Sequence, residues 1–117
     1  MGKLIYFYSM VYQRLLKDID GGKVLDVACG TGQFIEILSG SLGSFGSITG
    51  VDVLEESLAE ARLNFPGTEY NFLQASSQDL PFGEGSFDLV TMSKALHHVE
   101  DPRASLDEMM RVLRTGG

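Results

Sequence analysis

Two glycines, Gly30 and Gly32, follow an apolar run, Val24 to Ala28, and precede apolar residues at helical spacing. Glycine lets a main chain approach a ligand more closely than any side chain allows. A helix that opens at such a turn aims its unpaired N–H groups and the positive end of its dipole at the same point. Asp52 ends the next apolar segment, twenty positions after Gly32. From there a carboxylate can accept hydrogen bonds from ribose hydroxyls. Residue types and spacing together point to a nucleoside cofactor. His97 and His98 are a second chemical candidate, as a general base or a metal pair. Adjacent residues do not face one another on a helix, which disfavours a two-histidine metal site, so no metal is expected. Cys29, the sole cysteine, sits inside the turn and reads as a small buried filler.

The elements that must hold these residues alternate. Residues 4–18 are compatible with a strand at Leu4–Tyr8, but Tyr8, Val11, Tyr12, Leu15 and Leu16 follow helical spacing, which favours a helix ended by Asp20-Gly21-Gly22. Lys23–Ala28 predicts a strand, and Gln33–Ser39 a helix with Phe34, Ile37 and Leu38 on one face. The segment 40–47, rich in Gly and Ser, predicts a loop. Strands are expected at 48–53, 69–74 and 87–92, with a helix over 54–65 that Pro66-Gly67 stops. Asp101-Pro102 supplies an N-cap and a first-turn proline for a last helix. Its predicted apolar stripe is Leu106, Met109, Met110 and Leu113, with Met109 and Met110 in the core and Gly116 as C-cap. Strand and helix in alternation imply an α/β fold with a parallel sheet and right-handed crossovers.

Composition sets the outer limits. At 117 residues the chain is expected to be a single domain, 1–117, with an ordinary globular balance of 44% hydrophobic and 21% charged residues. No apolar run approaches the ~18 residues of a membrane span, and no signal-peptide cleavage pattern is visible. One cysteine excludes an internal disulfide and a four-cysteine zinc site, so a reducing cytoplasm is the default location. A net charge of −7 without a Lys/Arg run disfavours a nucleic-acid surface.

The glycine spacing disfavours a dinucleotide cofactor. A dinucleotide fingerprint wants a third glycine at position 35, where this chain has Ile35. Asp26-Val27-Ala28-Cys29-Gly30-Thr31-Gly32 instead resembles the first motif of class I S-adenosylmethionine-dependent methyltransferases, in the small-molecule branch related to the ubiquinone biosynthesis enzymes. Gly50-Val51-Asp52, Leu80-Pro81-Phe82, Ser86-Phe87-Asp88-Leu89-Val90 and Leu96-His97-His98-Val99 before Asp101-Pro102 extend the likeness over residues 6–117.

The resemblance implies a Rossmann-like three-layer sandwich with strands in the order 3-2-1-4, S-adenosyl-L-methionine as cofactor and a small-molecule methyl acceptor as partner. It places Gly30 and Gly32 along the methionine part, Asp26 beside its amino group and Asp52 on the ribose. Val53 or Leu54 would pack on the adenine, and Ser76 and Ser77 would meet its edge, the N–H of Ser77 as donor. Ser93 would lie near the methionine carboxylate or methyl group, and Tyr6, Tyr8 or Tyr12 on the first helix would close the site from above. Two departures stand out. Ala28 occupies a position where many members have glycine, a change expected to be harmless. Ser76 occupies one where many have an aspartate for the adenine amino group; Asp79 is either its replacement or a solvated loop residue.

His97 or His98 would serve as general base where the acceptor must lose a proton. A dehydrogenase domain binding NAD and a non-catalytic methyltransferase-like fragment are the competing readings. The family's C-terminal strands are absent from the pattern. The strand at 87–92, apolar as an interior strand, is therefore expected at an edge covered by self-association or a partner chain.

Overall fold

The computed structural model describes residues 14–93 and 99–114. Residues 14–16 are helical, in keeping with the helical reading of that segment, and Tyr12, His97, His98 and Gly116 lie outside the described residues. The elements then run β1 (Lys23–Val27), α1 (Gln33–Ser41), β2 (Ser47–Asp52), α2 (Glu55–Asn64), β3 (Tyr70–Gln74), β4 (Leu89–Thr91) and α3 (Pro102–Val112).

All three pairings are parallel, and the strand order is β3-β2-β1-β4. Successive residues of a strand point to opposite faces, and β1 shows what this does to the core. Val24 joins Ile35, Leu38, Leu42, Ile48 and Leu58 beneath α1 and α2. Leu25 and Val27 join Val51, Leu80, Phe87 and Val112 beneath α3. Helices on both faces make the three layers that the resemblance implies.

Three elements differ from the sequence pattern, each for a packing reason. Helix α1 continues through Gly40 and Ser41, and its buried stripe is Ile35, Leu38 and Ser41, with Phe34 and Ile37 only half-buried. Strand β4 has three residues, because Phe87 and Asp88 bend into separate contacts before the regular ladder begins. In α3 the buried residues are Ser105 and Val112, with Met109 packed against them, whereas Leu106 is 47% exposed and Met110 64% exposed. The core assignment of Met110 therefore fails. Ser105 takes the inward position by sharing a 2.6 Å hydrogen bond with Ser77, which rotates the helix away from its most apolar line. The N-cap holds, the Asp101 carboxylate accepting from the Ala104 N–H at 3.0 Å. The C-cap is Leu113, in an extended conformation.

Beyond α3 the chain turns back beside β4. The Phe87 N–H donates to the Val112 carbonyl, and the Arg114 N–H donates to the Phe87 carbonyl, making a parallel bridge between Phe87 and Leu113. Asp88 fixes both sides of this junction. Its carboxylate accepts from the Lys23 N–H at 2.9 Å and from the Arg114 guanidinium at 2.8 Å, and these two partners hold it below the usual carboxylate range.

Candidate functional site

The carboxyl ends of β1 and β2 open onto a cavity of about 360 Å³ lined by Ala28, Asp52, Val53, Leu54, Ala75, Ser76, Ser77, Gln78, Val99 and Glu100. Position alone makes it the expected ligand crevice of an open parallel sheet. Asp52 organises its floor. The side chain is only 4% exposed, and each carboxylate oxygen already accepts a main-chain bond: Oδ2 from the Gly30 N–H at 2.9 Å, Oδ1 from the Leu54 N–H at 3.0 Å. A carboxylate oxygen has two lone pairs, so such an atom takes more than one donor. Val53 and Leu54 are 59% and 60% exposed beside it, an apolar shelf next to a hydrogen-bonding carboxylate.

The turn from β1 to α1 is built on left-handed backbone. Gly30 has φ +58° and Gly32 φ +98°, and Ala28 adopts φ +58° as well. An L-residue there costs roughly 1–2 kcal/mol over its right-handed alternative. The change from glycine at position 28, which the sequence presents as harmless, therefore carries a conformational cost. A Cβ at Gly30 would meet no neighbour within 4 Å, so space stands open above the main chain there. A Cβ at Gly32 would lie 2.5 Å from the Phe65 ring. Gly32 lines a separate cleft of about 380 Å³ with Thr31, Gln33, Glu36, Asn64 and Phe65. Cys29 is buried, as expected of a filler.

The opposite wall, residues 75–78, and the segment 79–82 that follows it are held by α3. Ser77 bonds Ser105; the Leu80 N–H donates to Glu108 at 2.8 Å; Arg111 donates to the carbonyls of Leu80 and Phe82 at 2.9 and 2.7 Å. Glu108 and Arg111 also pair with each other at 2.6 Å. The Arg111 bond, aided by the Leu80 N–H, lowers the Glu108 carboxyl below its usual range, and Glu108 raises Arg111 in turn. With its hydroxyl engaged by α3, Ser77 presents a backbone N–H with no acceptor among the described residues. Ser76 folds inward on its own turn, its hydroxyl accepting from the Gln78 N–H at 3.1 Å.

Of the residues expected at the site, Ala28, Asp52, Val53, Ser76 and Ser77 meet at this cavity. Asp79 does not: it is exposed, bridges back to Ser76, and is absent from the wall, where Gln78 and Glu100 supply the polar side chains instead. Ser93 is exposed just past β4 and also lies off the wall. Asp26, on β1, is fully buried and lines neither cavity. Sequence reasoning passed over Gln78 and Glu100. Their only signal is adjacency, one beside Ser76-Ser77 and the other just before Asp101-Pro102. No group of three metal-ligating side chains occurs among the described residues, and no described helix is long and apolar enough to cross a membrane.

Residues 25–117 match the family model for the methyltransferase domain. The chain belongs to that family. The demethylmenaquinone methyltransferase of Staphylococcus aureus strain MRSA252 is 38% identical over 109 residues, covering 90% of this chain and 45% of that protein. The solved methyltransferase of Haloferax volcanii, in complex with the Trm112 methyltransferase activator, superposes with a TM-score of 0.81 at 28% identity, covering 93% of this chain and 48% of that one. An S-adenosylmethionine-dependent methyltransferase of Mesorhizobium loti gives 0.74 at 28% identity, covering 90% and 47%. The chain thus spans less than half the length of the relatives it matches.

Proposed function

We propose that this domain binds S-adenosyl-L-methionine in the Asp52 cavity and serves methyl transfer to a small-molecule acceptor by direct in-line displacement. The observation that carries the reading is Asp52. A nearly buried carboxylate, tied to the Gly30 N–H, borders the same cavity as an apolar shelf and the Ser77 N–H, which has no acceptor among the described residues. Those groups suit a ribose diol, an adenine face and a ring nitrogen respectively. Gly30 leaves room for the methionine part, with Gly32 continuing the turn, Asp26 serving its amino group from below and Ser93 its carboxylate or methyl end. When bound, this cofactor supplies a methyl group already activated on a sulfonium, so no covalent nucleophile is required of the chain. The chain's task is to hold and orient, and such positioning can be worth on the order of 7–11 kcal/mol. His97 or His98 takes a proton where the acceptor carries one, and Tyr12 closes the site.

Calorimetry with S-adenosylhomocysteine and with NAD tests the cofactor. Binding of the first, strongly weakened by Asp52→Ala, is the expected result; binding of NAD alone overturns it. Ile35, fully buried at the place of the third dinucleotide glycine, supports that expectation. Turnover is to be sought first with demethylmenaquinone, the substrate that the Staphylococcus relative's name gives, and then across other small acceptors. Binding without turnover on any acceptor would favour the non-catalytic reading.

The same proposal includes a partner. The Phe87 end of β4 is covered by Leu113 and Arg114, but Leu89 and Thr91 make no outward ladder bonds among the described residues. A second copy or another chain covers this edge, in a reducing cytoplasm and without nucleic acid. Sedimentation across a dilution series checks this, and a monodisperse monomer at every concentration counts against it.

A further inference from the structure

One hydroxyl on β4 reaches across to the buried Asp26 carboxylate on the neighbouring strand β1. The register pairs Asp26 with Gly50 on one side and with Thr91 on the other. In parallel strands such partners lie on the same face. Gly50 contributes no side chain to that row. Thr91 contributes a hydroxyl whose Oγ1 lies 2.8 Å from Asp26 Oδ1 and 3.4 Å from the Leu25 carbonyl. A threonine hydroxyl has one proton to donate, and the shorter bond, to a carboxylate, takes it. Asp26 is wholly buried, so contacts within the protein, this bond among them, set its orientation.

We infer that Thr91 is a positioning residue, which fixes the Asp26 carboxylate for the cationic α-ammonium of the cofactor's methionyl tail. This rests on the cofactor reading above. Thr91 touches no reacting group; it acts through Asp26, and its hydroxyl matters only for ligands that carry the ammonium.

Calorimetry on the whole chain with two ligands separates the possibilities: S-adenosylhomocysteine, which has the amino-acid tail, and 5′-methylthioadenosine, which lacks it. Removing one hydrogen bond to a charged group predicts that Thr91→Val weakens S-adenosylhomocysteine about tenfold while methylthioadenosine stays within about twofold. Thr91→Ser, which keeps the hydroxyl, restores the difference. Equal losses for both ligands, or no loss for either, overturn the inference, because a merely structural threonine treats the two alike. If Thr91→Val loses cooperative unfolding, Thr91→Ala carries the same comparison. Wild-type protein that binds both ligands equally removes the role of Asp26 while leaving the adenosine site standing. Wild-type protein that binds neither removes the cofactor reading itself.

Discussion

The two walls of the cavity are held in place by different means. Residues 28–32 are fixed largely from within, by left-handed backbone at Ala28, Gly30 and Gly32 and by the short tie from Gly30 to Asp52. Residues 75–82 are fixed from outside, by Ser105, Glu108 and Arg111 of a helix that begins twenty residues later. The first wall depends on local conformation and one neighbouring strand end. The second exists only if α3 lands in register. A substitution that disturbs one should leave the other in place.

The largest effect is expected from Asp52→Ala. It leaves the N–H groups of Gly30 and Leu54 without their charged acceptor, at about 3 kcal/mol of stability. Hydrogen exchange should quicken at residues 28–32 and 54, and not at 80–82. Next comes Gly32→Ala. Its Cβ would strike the Phe65 ring while forcing alanine to a left-handed φ, for about 2 kcal/mol, read as a lowered denaturation midpoint.

Glu108→Ala tests the other wall. It strips the buried Leu80 N–H of its acceptor, costing about 1–2 kcal/mol, and should free exchange at Leu80 while residues 28–32 stay protected. The same residue gives a pH signature. The folded protein holds Glu108 below its ordinary 4.5 and Asp88 below its ordinary 3.8, so unfolding takes up protons in this range. Their contribution is complete above those values and is lost as pH falls through the depressed ones. Stability measured down a pH series should therefore decline on acidification, and less steeply in Glu108→Ala. The smallest effect belongs to Ala28→Gly. Relief of the left-handed alanine outweighs the added freedom of the unfolded chain, for a gain of about 0.5–1 kcal/mol.

That contrast also explains what could be read from residues alone. The strand order was implied by the family resemblance, whereas the Asp52 position was legible because the β1–turn–α1 unit and the next strand end lie within thirty residues, with apolar periodicity and glycine placement both pointing one way. Helix α3 was legible as a helix, from Asp101-Pro102 and its spacing, but not in its rotation. Counting apolar residues favours Leu106 and Met110, whereas the fold turns Ser105 inward because Ser77, 28 positions earlier, is there to bond it. Asp79, for which the sequence left an adenine partner and a solvated loop residue both open, stayed undecided for the same reason. Which of two adjacent polar residues faces the cavity is decided by how the turn at Ser76 closes, and no residue type announces that.

The double tie of Asp52 has one more consequence. Because its carboxylate joins the ends of two strands through bonds of the protein's own main chain, the floor of the proposed ribose site is set by the fold itself, as a mould and not a hand that must close. Adenosine ligands should then associate in a single fast kinetic phase proportional to their concentration, and selectivity among them should reside in how long each one stays.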